Sequence, residues 1–334
     1  MNAVPTDRQL SVLVLGGSGF AGRHACMALG ARGARVVIGS RYPARIDRRL
    51  PQAICGCQRR QARFEKLLSE ADWHGLLDGI DVVINCVGIL RPRGQETYER
   101  IHHLAPGALA AACSKTGCRL IHVSALGLTE PARSGFLKSK RAGEDAIRAT
   151  GADWYIVRPS LLDGEGGFGA KWLRRIARWP VHPVPADAAG RVAVLDVRDL
   201  GEALARLAID SSRAGHAAND REFELGGIEQ RTLAEHLAAL RQVHTSRLAR
   251  QLPIPGILAR LGSHLCDLTH FSPFSFGHWE LLRRDNCPEG NRLPELLGRA
   301  PRSVGNCPFN PAPAALKRRE RVAGLRISAA KPGS

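Results

Sequence analysis

Three glycines with the spacing G-x-x-G-x-x-G follow a short apolar run near the start of this 334-residue chain. They are Gly16, Gly19 and Gly22, and a helix-like segment follows them directly. In such a turn the first glycine permits a tight bend, the second admits a pyrophosphate, and the third allows close helix–strand packing. Exposed amides at the helix start, with the positive end of its dipole, would hold the phosphates.

A glycine-rich turn without a ligand is the alternative, but the strand before the turn and the helix after it favour a bound dinucleotide. The turn residues predicted to contact this ligand are Gly16, Gly17, Ser18, Gly19, Phe20 and Gly22.

The end of the second predicted strand indicates which dinucleotide is bound. Where an acidic residue would hold a ribose 2′-hydroxyl, this chain has Arg41, with Arg45 close behind and Arg23 just after the glycine turn. A guanidinium can bind a 2′-phosphate bidentately, whereas a carboxylate would repel it. Charge-assisted hydrogen bonds of about 1.5–3 kcal/mol give roughly a ten- to hundredfold preference for NADP(H) over NAD(H). A solvated surface arginine is the alternative.

Strand-like and helix-like segments alternate through the first half of the chain, as in a parallel sheet with crossover helices. Strands are predicted at Ser11–Leu15, Arg35–Ser40, 53–63, 81–87, 119–124 and 154–157, and helices at 20–32, 72–77, 96–116 and 134–150. Pro106 is expected to interrupt or kink the helix over 96–116. The sequence therefore predicts an α/β protein with a Rossmann-like, doubly wound parallel sheet, helices on both faces, and a smaller C-terminal substrate or cap region.

Beyond residue 160 the alternation loosens, and helices are predicted at 170–179, 199–209 and 231–243, with strands at 191–196 and 222–226. From Pro253 onward the chain is rich in Pro, Phe and Gly, which suggests a loop-rich cap. We predict a Rossmann domain for NADP(H) over 1–160, a C-terminal cap or substrate region over 161–311, and a basic, disordered tail over 312–334. Some segments of the second region are expected to return to the sheet.

An ordered set of short segments resembles the short-chain dehydrogenase/reductase superfamily. The segments are GGSGFAG at 16–22, INCVG at 84–88, HVSALG at 122–127, FLKSKRAGE at 136–144 and IVRPS at 156–160. More narrowly, the chain resembles the atypical branch that includes the NADPH-carrying accessory subunit of respiratory complex I and its bacterial relatives. PFSFGHWELLRRDNC at 273–287 and LPELLGRAP at 293–301 extend the resemblance over most of the chain.

The resemblance implies a catalytic serine, tyrosine and lysine. Ser124 takes the place of the serine that polarises a substrate carbonyl, and Lys140 that of the lysine that binds the nicotinamide ribose. The tyrosine position is Phe136, which has no proton to donate, so a contribution of about 10²–10⁴ in rate is absent. Tyr98 and Tyr155 are the plausible substitutes. For Lys140 the alternative is an exposed helix lysine.

The resemblance also places Cys86, Val87 and Gly88 beneath the adenine–ribose side of the pocket, although INCVG could be a plain buried strand that ends in a turn. Pro159 and Ser160 would border the nicotinamide. The function implied is that of an NADP-dependent oxidoreductase that lacks the usual tyrosine. The alternative is a non-catalytic, cofactor-bound structural or assembly protein at the membrane surface, related to a respiratory complex or to quinones.

Residues 171–179 separate on a helical period into an apolar face with two tryptophans and a basic face. Such a helix suits the surface of an anionic membrane, but it also suits a helix that packs on its own domain, and the second interpretation is favoured. The apolar segments 254–262 and 270–282 could line a cleft for a lipid-like or quinone-like molecule or rest on a bilayer.

The composition narrows the class of partner without selecting one. The formal net charge is +17, but the basic residues do not interleave with aromatic ones, so we expect no nucleic acid partner. Nine irregularly spaced cysteines indicate reduced thiols and a cytoplasmic protein, with peripheral attachment to the inner face of the membrane as a possibility. We expect neither a metal site nor a membrane-spanning segment.

Overall fold

Seven parallel strands form the central sheet: β1 Ser11–Leu15, β2 Arg35–Ser40, β3 Gln58–Gln61, β4 Val82–Asn85, β5 Arg119–Val123, β6 Trp154–Pro159 and β11 Glu222–Leu225. Their order across the sheet is β11-β6-β5-β4-β1-β2-β3. This computed structural model describes residues 9–45, 50–128, 132–210, 221–269 and 274–305. The order confirms the predicted Rossmann-like sheet, and β11 adds a strand from beyond residue 160.

Helices cover both faces of the sheet, because successive strand residues point to opposite sides. The helices are α1 Phe20–Gly30, α2 His74–Leu77, α3 Ala105–Thr116, α4 Gly135–Arg148, α6 Val197–Ile209 and α10 Leu293–Leu297. Val12 and Val14 enter one core with residues of α1, α6 and α10, while Leu13 and Leu15 enter the other with residues of α3 and α4. Such two-sided burial explains why the first strand is almost wholly apolar.

Smaller elements follow the sixth strand. They are β7 Leu162–Asp163, α5 Phe168–Ala177, β8 Val181–Pro185, β9 Arg191–Ala193, β10 Leu195–Asp196, β12 Gln230–Thr232, α7 Leu233–Gln242, β13 Arg250–Ile254, α8 Gly256–Thr269 and α9 Phe276–Leu282. The expectation of a loop-rich cap from Pro253 onward is wrong, because α8 runs for 14 residues and α9 for seven. The prolines lie outside these two helices.

Pro106 does not interrupt the helix that contains it. A π-helical segment, Glu99–Leu104, leads directly into α3, and Pro106 falls in the first turn of α3. The residues before the proline adopt π-type hydrogen bonds, in which the amide of Ala105 donates to the carbonyl of Arg100, so the helix continues past the missing N–H. The expected kink is therefore replaced by a π-helical segment that turns His102 towards α4.

Close backbone contact joins α4 to this π-helical segment. A Cβ atom at Gly143 would lie 1.9 Å from the carbonyl oxygen of His102, which is far inside van der Waals contact. Gly30 ends α1, and a Cβ atom there would have no neighbour within 4 Å. Replacing each glycine by alanine therefore distinguishes the steric effect of an added methyl group, present only at Gly143, from its effect on backbone conformational entropy, present at both positions.

We predict that Gly143→Ala lowers the free energy of unfolding by about 2–3 kcal/mol, because α4 must move away from His102. Gly30→Ala, the matched control, should leave it unchanged or raise it by about 0.5–1 kcal/mol. Urea unfolding of both variants and the wild type measures the effect. Equal stability of Gly143→Ala and Gly30→Ala would contradict the prediction.

Candidate functional site

The glycine turn between β1 and α1 has the geometry that phosphate binding needs. Gly16 has a φ of +71°, and its amide donates to the carbonyl of Gly39 at 2.9 Å. A Cβ atom at Gly22 would lie 2.3 Å from the oxygen of Gly16, so only glycine permits this approach. Gly19 begins α1 without a side-chain cap, and the first turn contains no acidic residue. The first-turn amides are thus available to an anion.

Arg23 contacts protein rather than pointing into open space. Its Nη2 donates to the carbonyl of Gly166 at 3.1 Å, and burial lowers the pKa of its guanidinium. A Cβ atom at Gly166 would lie 2.2 Å from that guanidinium, and one at Gly167 would lie 2.7 Å from the ring of Phe20. The glycine-rich loop at 164–167 therefore lies against the start of α1, beside the predicted phosphate site.

Arg41 lies just beyond β2, and its guanidinium contacts the carboxylate of Glu96. The Arg41 side chain is 55% exposed, so it also remains open to solvent. Arg45 is exposed and lies over the ring of Tyr42, 5.7 Å from its centroid. The contact with Glu96 means that a 2′-phosphate at Arg41 would meet a carboxylate already in place.

The chain after β4 adjoins both the glycine turn and α4. The amide of Cys86 donates to the carbonyl of Leu15 at 3.0 Å, and a Cβ atom at Gly16 would lie 3.2 Å from the carbonyl of Cys86. The amide of Val87 donates a hydrogen bond to Oδ1 of Asn85 at 3.0 Å. A Cβ atom at Gly88 would lie 3.9 Å from the Nζ atom of Lys140. The structure thus brings together three of the predicted groups: the glycine turn, 86–88 and Lys140.

Lys140 is a buried cation on α4, with 7% of its surface exposed. Burial lowers the pKa of its ammonium from 10.5 to about 8, and Glu144, one turn later, acts in the opposite direction. Glu144 is itself held by two guanidiniums, at 2.6 Å from Arg158 and 2.8 Å from Arg148. This carboxylate therefore compensates only part of the charge on Lys140. The alternative of an exposed helix lysine is wrong.

Ser124 follows β5 and is also buried. Its amide donates to the carbonyl of Val157 at 2.8 Å, while its hydroxyl has no hydrogen-bond partner in the described part of the chain. A buried hydroxyl without a protein partner is costly in a folded protein, so this one is available to a ligand or to water. Pro159 ends β6 and accepts from the amide of Leu126 at 3.1 Å, so it borders the loop that starts at Ser124.

Phe136 lies within an aromatic cluster that the sequence did not reveal. Its ring centroid lies 5.5 Å from that of His102, 6.0 Å from Tyr98 and 6.2 Å from His278. The Nζ atom of Lys140 lies 5.8 Å from the same centroid. The position that would hold a tyrosine hydroxyl therefore holds an apolar ring beside a buried cation.

His102 is a neutral part of this cluster. Burial, together with the charge of Lys140, holds the pKa of its ring well below the ordinary value. Its Nε2 accepts from the amide of Ile89 at 3.1 Å, so Nδ1 carries the proton and donates to the hydroxyl of Ser139 at 3.0 Å. Ser139 donates in turn to the carbonyl of Phe136, at 3.0 Å. These hydrogen bonds join the chain after β4 to the start of α4.

The two tyrosines considered as substitutes lie in different surroundings. Tyr155 is buried in the core against Phe223. Tyr98 stacks on His102 and donates to the carbonyl of Leu90 at 2.7 Å, and burial raises the pKa of its hydroxyl to about 12. Tyr98 is therefore the tyrosine near Phe136, and its proton is held by a backbone carbonyl.

The helix α9 connects Phe136 to the second half of the chain. The carboxylate of Glu280 accepts from the amides of Arg133 and Ser134 at 2.7 and 2.9 Å, just before α4 begins. His278 stacks on Phe136 and accepts from the hydroxyl of Ser275 at 2.6 Å, and burial lowers the pKa of its ring to about 4. Sequence spacing could not show this contact, because 142 positions separate the two rings.

The basic helix predicted at 171–179 corresponds to α5. Trp172, Leu173 and Ile176 pack with residues of α7, while Trp179 is 48% exposed. Arg174 contacts Asp163. The apolar side of the helix therefore packs on its own domain, as in the favoured interpretation, and three of its four basic residues, Lys171, Arg175 and Arg178, are exposed.

The described residues contain neither a cluster of metal-binding side chains nor a membrane span. Nowhere in these ranges do three or more His, Cys, Asp or Glu side chains gather as metal ligands. None of the described helices is long and apolar enough to cross a bilayer.

Comparisons with known proteins identify a dinucleotide-binding family. Residues 16–177 match the family model described as NAD(P)H-binding. Ceramide reductase of Caulobacter vibrioides is 34% identical over 199 residues, which cover 58% of this chain and 59% of that protein. dTDP-4-dehydrorhamnose reductase of Mycobacterium tuberculosis is 31% identical over 234 residues, which cover 60% of this chain and 73% of that protein.

Two further relatives extend the comparison. NADH dehydrogenase (ubiquinone) 1 alpha subcomplex subunit 9 of Rattus norvegicus is 27% identical over 274 residues, which cover 78% of this chain and 68% of that protein. The crystal structure of Citrobacter sp. triphenylmethane reductase complexed with NADP(H) has a TM-score of 0.67 at 15% identity, covering 89% of this chain and 98% of that one. This structural likeness shows the fold.

The fold and the glycine turn define an NAD(P)H-binding Rossmann protein. The chain belongs to the atypical branch of the short-chain dehydrogenase/reductase superfamily, among homologues named as reductases and as subunit 9 of the NADH dehydrogenase (ubiquinone) 1 alpha subcomplex. The predicted resemblance is therefore confirmed.

We predict that Lys140→Met stabilises the fold and abolishes dinucleotide binding. Since the ammonium has a lower pKa in the folded chain than in the unfolded chain, its burial cost is complete below pH 8 and disappears above 10.5. Removing the charge should raise the free energy of unfolding at pH 7 by about 1–3 kcal/mol. Chemical denaturation at pH 7 and pH 10 should show the gain shrinking as the pH rises.

Lys138→Met is the matched control, because Lys138 is exposed on the same helix. It should change neither stability nor NADPH affinity by more than the error of the measurement. A Lys140→Met protein that is less stable than the wild type at pH 7, or that binds NADPH equally well, would refute the prediction.

Proposed function

We propose that this protein is an NADP(H)-dependent reductase of a lipid-like carbonyl compound. The observation that carries the proposal is the pair of buried polar groups at the edge of the sheet where parallel strands end: the Lys140 ammonium and the unpartnered Ser124 hydroxyl. Burying both groups is unfavourable for stability, so a role in binding or chemistry accounts for them. In open α/β sheets, ligands bind at this edge.

The residues fit a dinucleotide at three points. The uncapped first-turn amides of α1 would bind the pyrophosphate. The ammonium of Lys140 would bind ribose hydroxyls, which would provide the hydrogen-bond acceptors that a buried cation needs. Arg41 would bind the 2′-phosphate of NADP(H) through donors not occupied by Glu96, since a guanidinium has five.

Lys140 takes the acid role that Phe136 cannot fill. The reduced nicotinamide, when bound, supplies a hydride to the carbonyl carbon. Ser124 donates a hydrogen bond to the carbonyl oxygen, and an N–H bond of Lys140 breaks as its proton passes to that oxygen to form the alcohol. Solvent then returns a proton to the amine. With a pKa of about 8, Lys140 is mostly protonated at neutral pH and is a far better acid than an ordinary lysine.

A lipid-like substrate agrees with the surroundings of Phe136. Its ring stacks against His278 on α9, and α9 packs against α8, where His264 lies 4.6 Å from Phe276 between ring centroids. The outer face of α8 is made of leucine and isoleucine. Ring contacts through α9 thus link Phe136 to α8, whose outer face is apolar, and the name of the Caulobacter relative, ceramide reductase, points to a lipid-like class of substrate.

A second candidate is a non-catalytic, NADP(H)-bound structural or assembly protein at the membrane surface. Phe136 favours it, because the superfamily's usual acid is absent, and so does the similarity to a subunit named for NADH dehydrogenase. In this case the dinucleotide would stabilise the fold, by about 2.7 kcal/mol at a hundredfold excess over its dissociation constant. The two candidates differ in turnover and agree on binding.

We predict that NADPH binds at least tenfold more tightly than NADH. The substitution Arg41→Ala should weaken NADPH binding about tenfold and leave NADH binding unchanged. Glu96→Gln should strengthen NADPH binding, because it frees Arg41 and removes a negative charge. Arg35→Ala, at the opposite end of β2, is the control. Fluorescence titration measures all four proteins, and an unchanged ratio of NADPH to NADH affinity in Arg41→Ala would exclude this role.

We predict that oxidation of NADPH with a long-chain ketone dispersed in detergent slows as the pH rises through about 8, because Lys140 loses its proton. Common small carbonyl compounds should turn over negligibly. Phe136→Tyr should raise the rate at least about tenfold and move the pH profile, since it restores a hydroxyl acid. If neither protein turns over any carbonyl compound while both bind NADPH, the non-catalytic candidate is favoured.

A further inference from the structure

The helix α8 is amphipathic but inverted, because its apolar face is exposed and its face of small and polar residues is packed. Its packed face consists of small and polar residues, with Ala259 and Ser263 buried and Asp267 bound to the guanidinium of Arg91 at 2.8 Å. Its outer face carries five large aliphatic side chains, each between 58% and 80% exposed: Ile257, Leu258, Leu261, Leu265 and Leu268. At a helical period these five lie within one stripe. An exposed apolar surface of this size indicates an interaction site.

Further exposed apolar side chains lie in and beside the strand pair that precedes α8. β8 and β13 pair in parallel, with Val181 opposite Arg250, and α8 begins two residues after β13 ends. Leu248 is 78% exposed, and Leu252, Trp179 and Val181 are partly exposed. We call these four residues, together with the five of α8, the apolar face. The tryptophan at its margin is typical of proteins that rest at a membrane interface.

Basic side chains outnumber acidic ones in the segments that carry the apolar face. Residues 247–268 contain three arginines and one acidic residue, Asp267, which is paired with Arg91; residues 170–187 contain four Lys or Arg residues and one acidic residue, Asp187, which is paired with Arg283. Arg178, Arg247, Arg250 and Arg260 are all exposed. A leucine stripe with arginines beside it complements anionic lipid headgroups over acyl chains. A symmetric contact with a second copy would instead place these arginines against their own equivalents.

A cavity of about 340 Å³ lies beside the helix, lined by guanidinium groups and two aromatic rings. Its arginines are Arg133, Arg260, Arg283 and Arg284, and its rings are Phe276 and Trp279. Arg283 is paired with Asp187 at 3.1 Å, and the one carboxylate in the lining, Glu280, is bound by two backbone amides. The cavity therefore has a positive lining, which suits a phosphate group.

We propose that α8 lies in the plane of an anionic bilayer, with the apolar face among the acyl chains and the arginine-lined cavity against headgroup phosphates. In this orientation α9, which packs against α8 and contacts Phe136, would lie close to the lipid. The proposal does not depend on reduction, because a reductase and a cofactor-bound structural protein could bind in the same way. Turnover and membrane binding can therefore fail separately.

The test is flotation of the full-length protein with two kinds of vesicle, phosphatidylcholine alone and an equimolar mixture with phosphatidylglycerol. The wild type should bind the anionic vesicles, and its affinity for them should fall as salt is raised. The double variant Leu261→Ser with Leu265→Ser should bind at least about tenfold more weakly, since it loses two inserted side chains. Arg260→Gln should weaken binding to the anionic vesicles alone.

Ile228→Ser is the matched control, because Ile228 is 54% exposed outside the apolar face. NADPH titration and thermal unfolding show that each variant is folded, and the exposed leucines should change neither. The basic residues after 305 are common to all variants, so they cannot produce a difference between them.

Three outcomes would overturn the proposal. The first is equal vesicle binding by the wild type and the double leucine variant. The second is equal binding by the wild type to neutral and anionic vesicles. The third is a dimer, seen by sedimentation without lipid, that the leucine substitutions dissociate while vesicle binding is absent; a second copy would then cover the apolar face.

Discussion

The candidate site depends on backbones that approach each other more closely than any side chain would permit. At the start of α1, a Cβ atom on Gly22 would lie 2.3 Å from the oxygen of Gly16, and on α4 one at Gly143 would lie 1.9 Å from the oxygen of His102. These two contacts set how near α1 and α4 come to the ends of the strands. Because α4 carries Lys140 and Phe136, its position decides where these two side chains lie in the candidate site. Close packing of this kind leaves little freedom to relax.

The sheet and its phosphate turn could be predicted from the sequence because their signals are local. Strands buried on both faces appear as apolar runs, and the glycine spacing has a direct geometric meaning. The helix α8 was missed although Leu258, Leu261, Leu265 and Leu268 follow a helical period, because the prolines on either side of it suggested loops. Its orientation is harder still to predict, since an inverted helix violates the rule that apolar faces turn inward.

The contacts of the site residues come from chain segments that are far apart in sequence, so no local pattern reports them. Arg41 was correctly placed at the end of β2, but its contact with Glu96 spans 55 positions. The neighbours of Phe136 come from the π-helical region and from α9. From the sequence, phenylalanine in the tyrosine position indicates only that an acid is lost. In the structure, the ring packs with two neutral histidines beside Lys140, whose burial lowers its pKa.

The ion pairs of Glu144 with Arg148 and Arg158 have a consequence for how this site could evolve. Arg158 is shared between Glu144 and Glu222, so the charge state of the crevice is coupled to residues on the outermost strand, β11. A substitution on β11 that drew Arg158 away would leave Glu144 with one guanidinium, that of Arg148, and so strengthen its action as counterion to the lysine one turn before it. The ammonium would then hold its proton more firmly and become a weaker donor. Substitutions on β11 can thus change the pKa of Lys140 without replacing any residue that is predicted to contact the ligand.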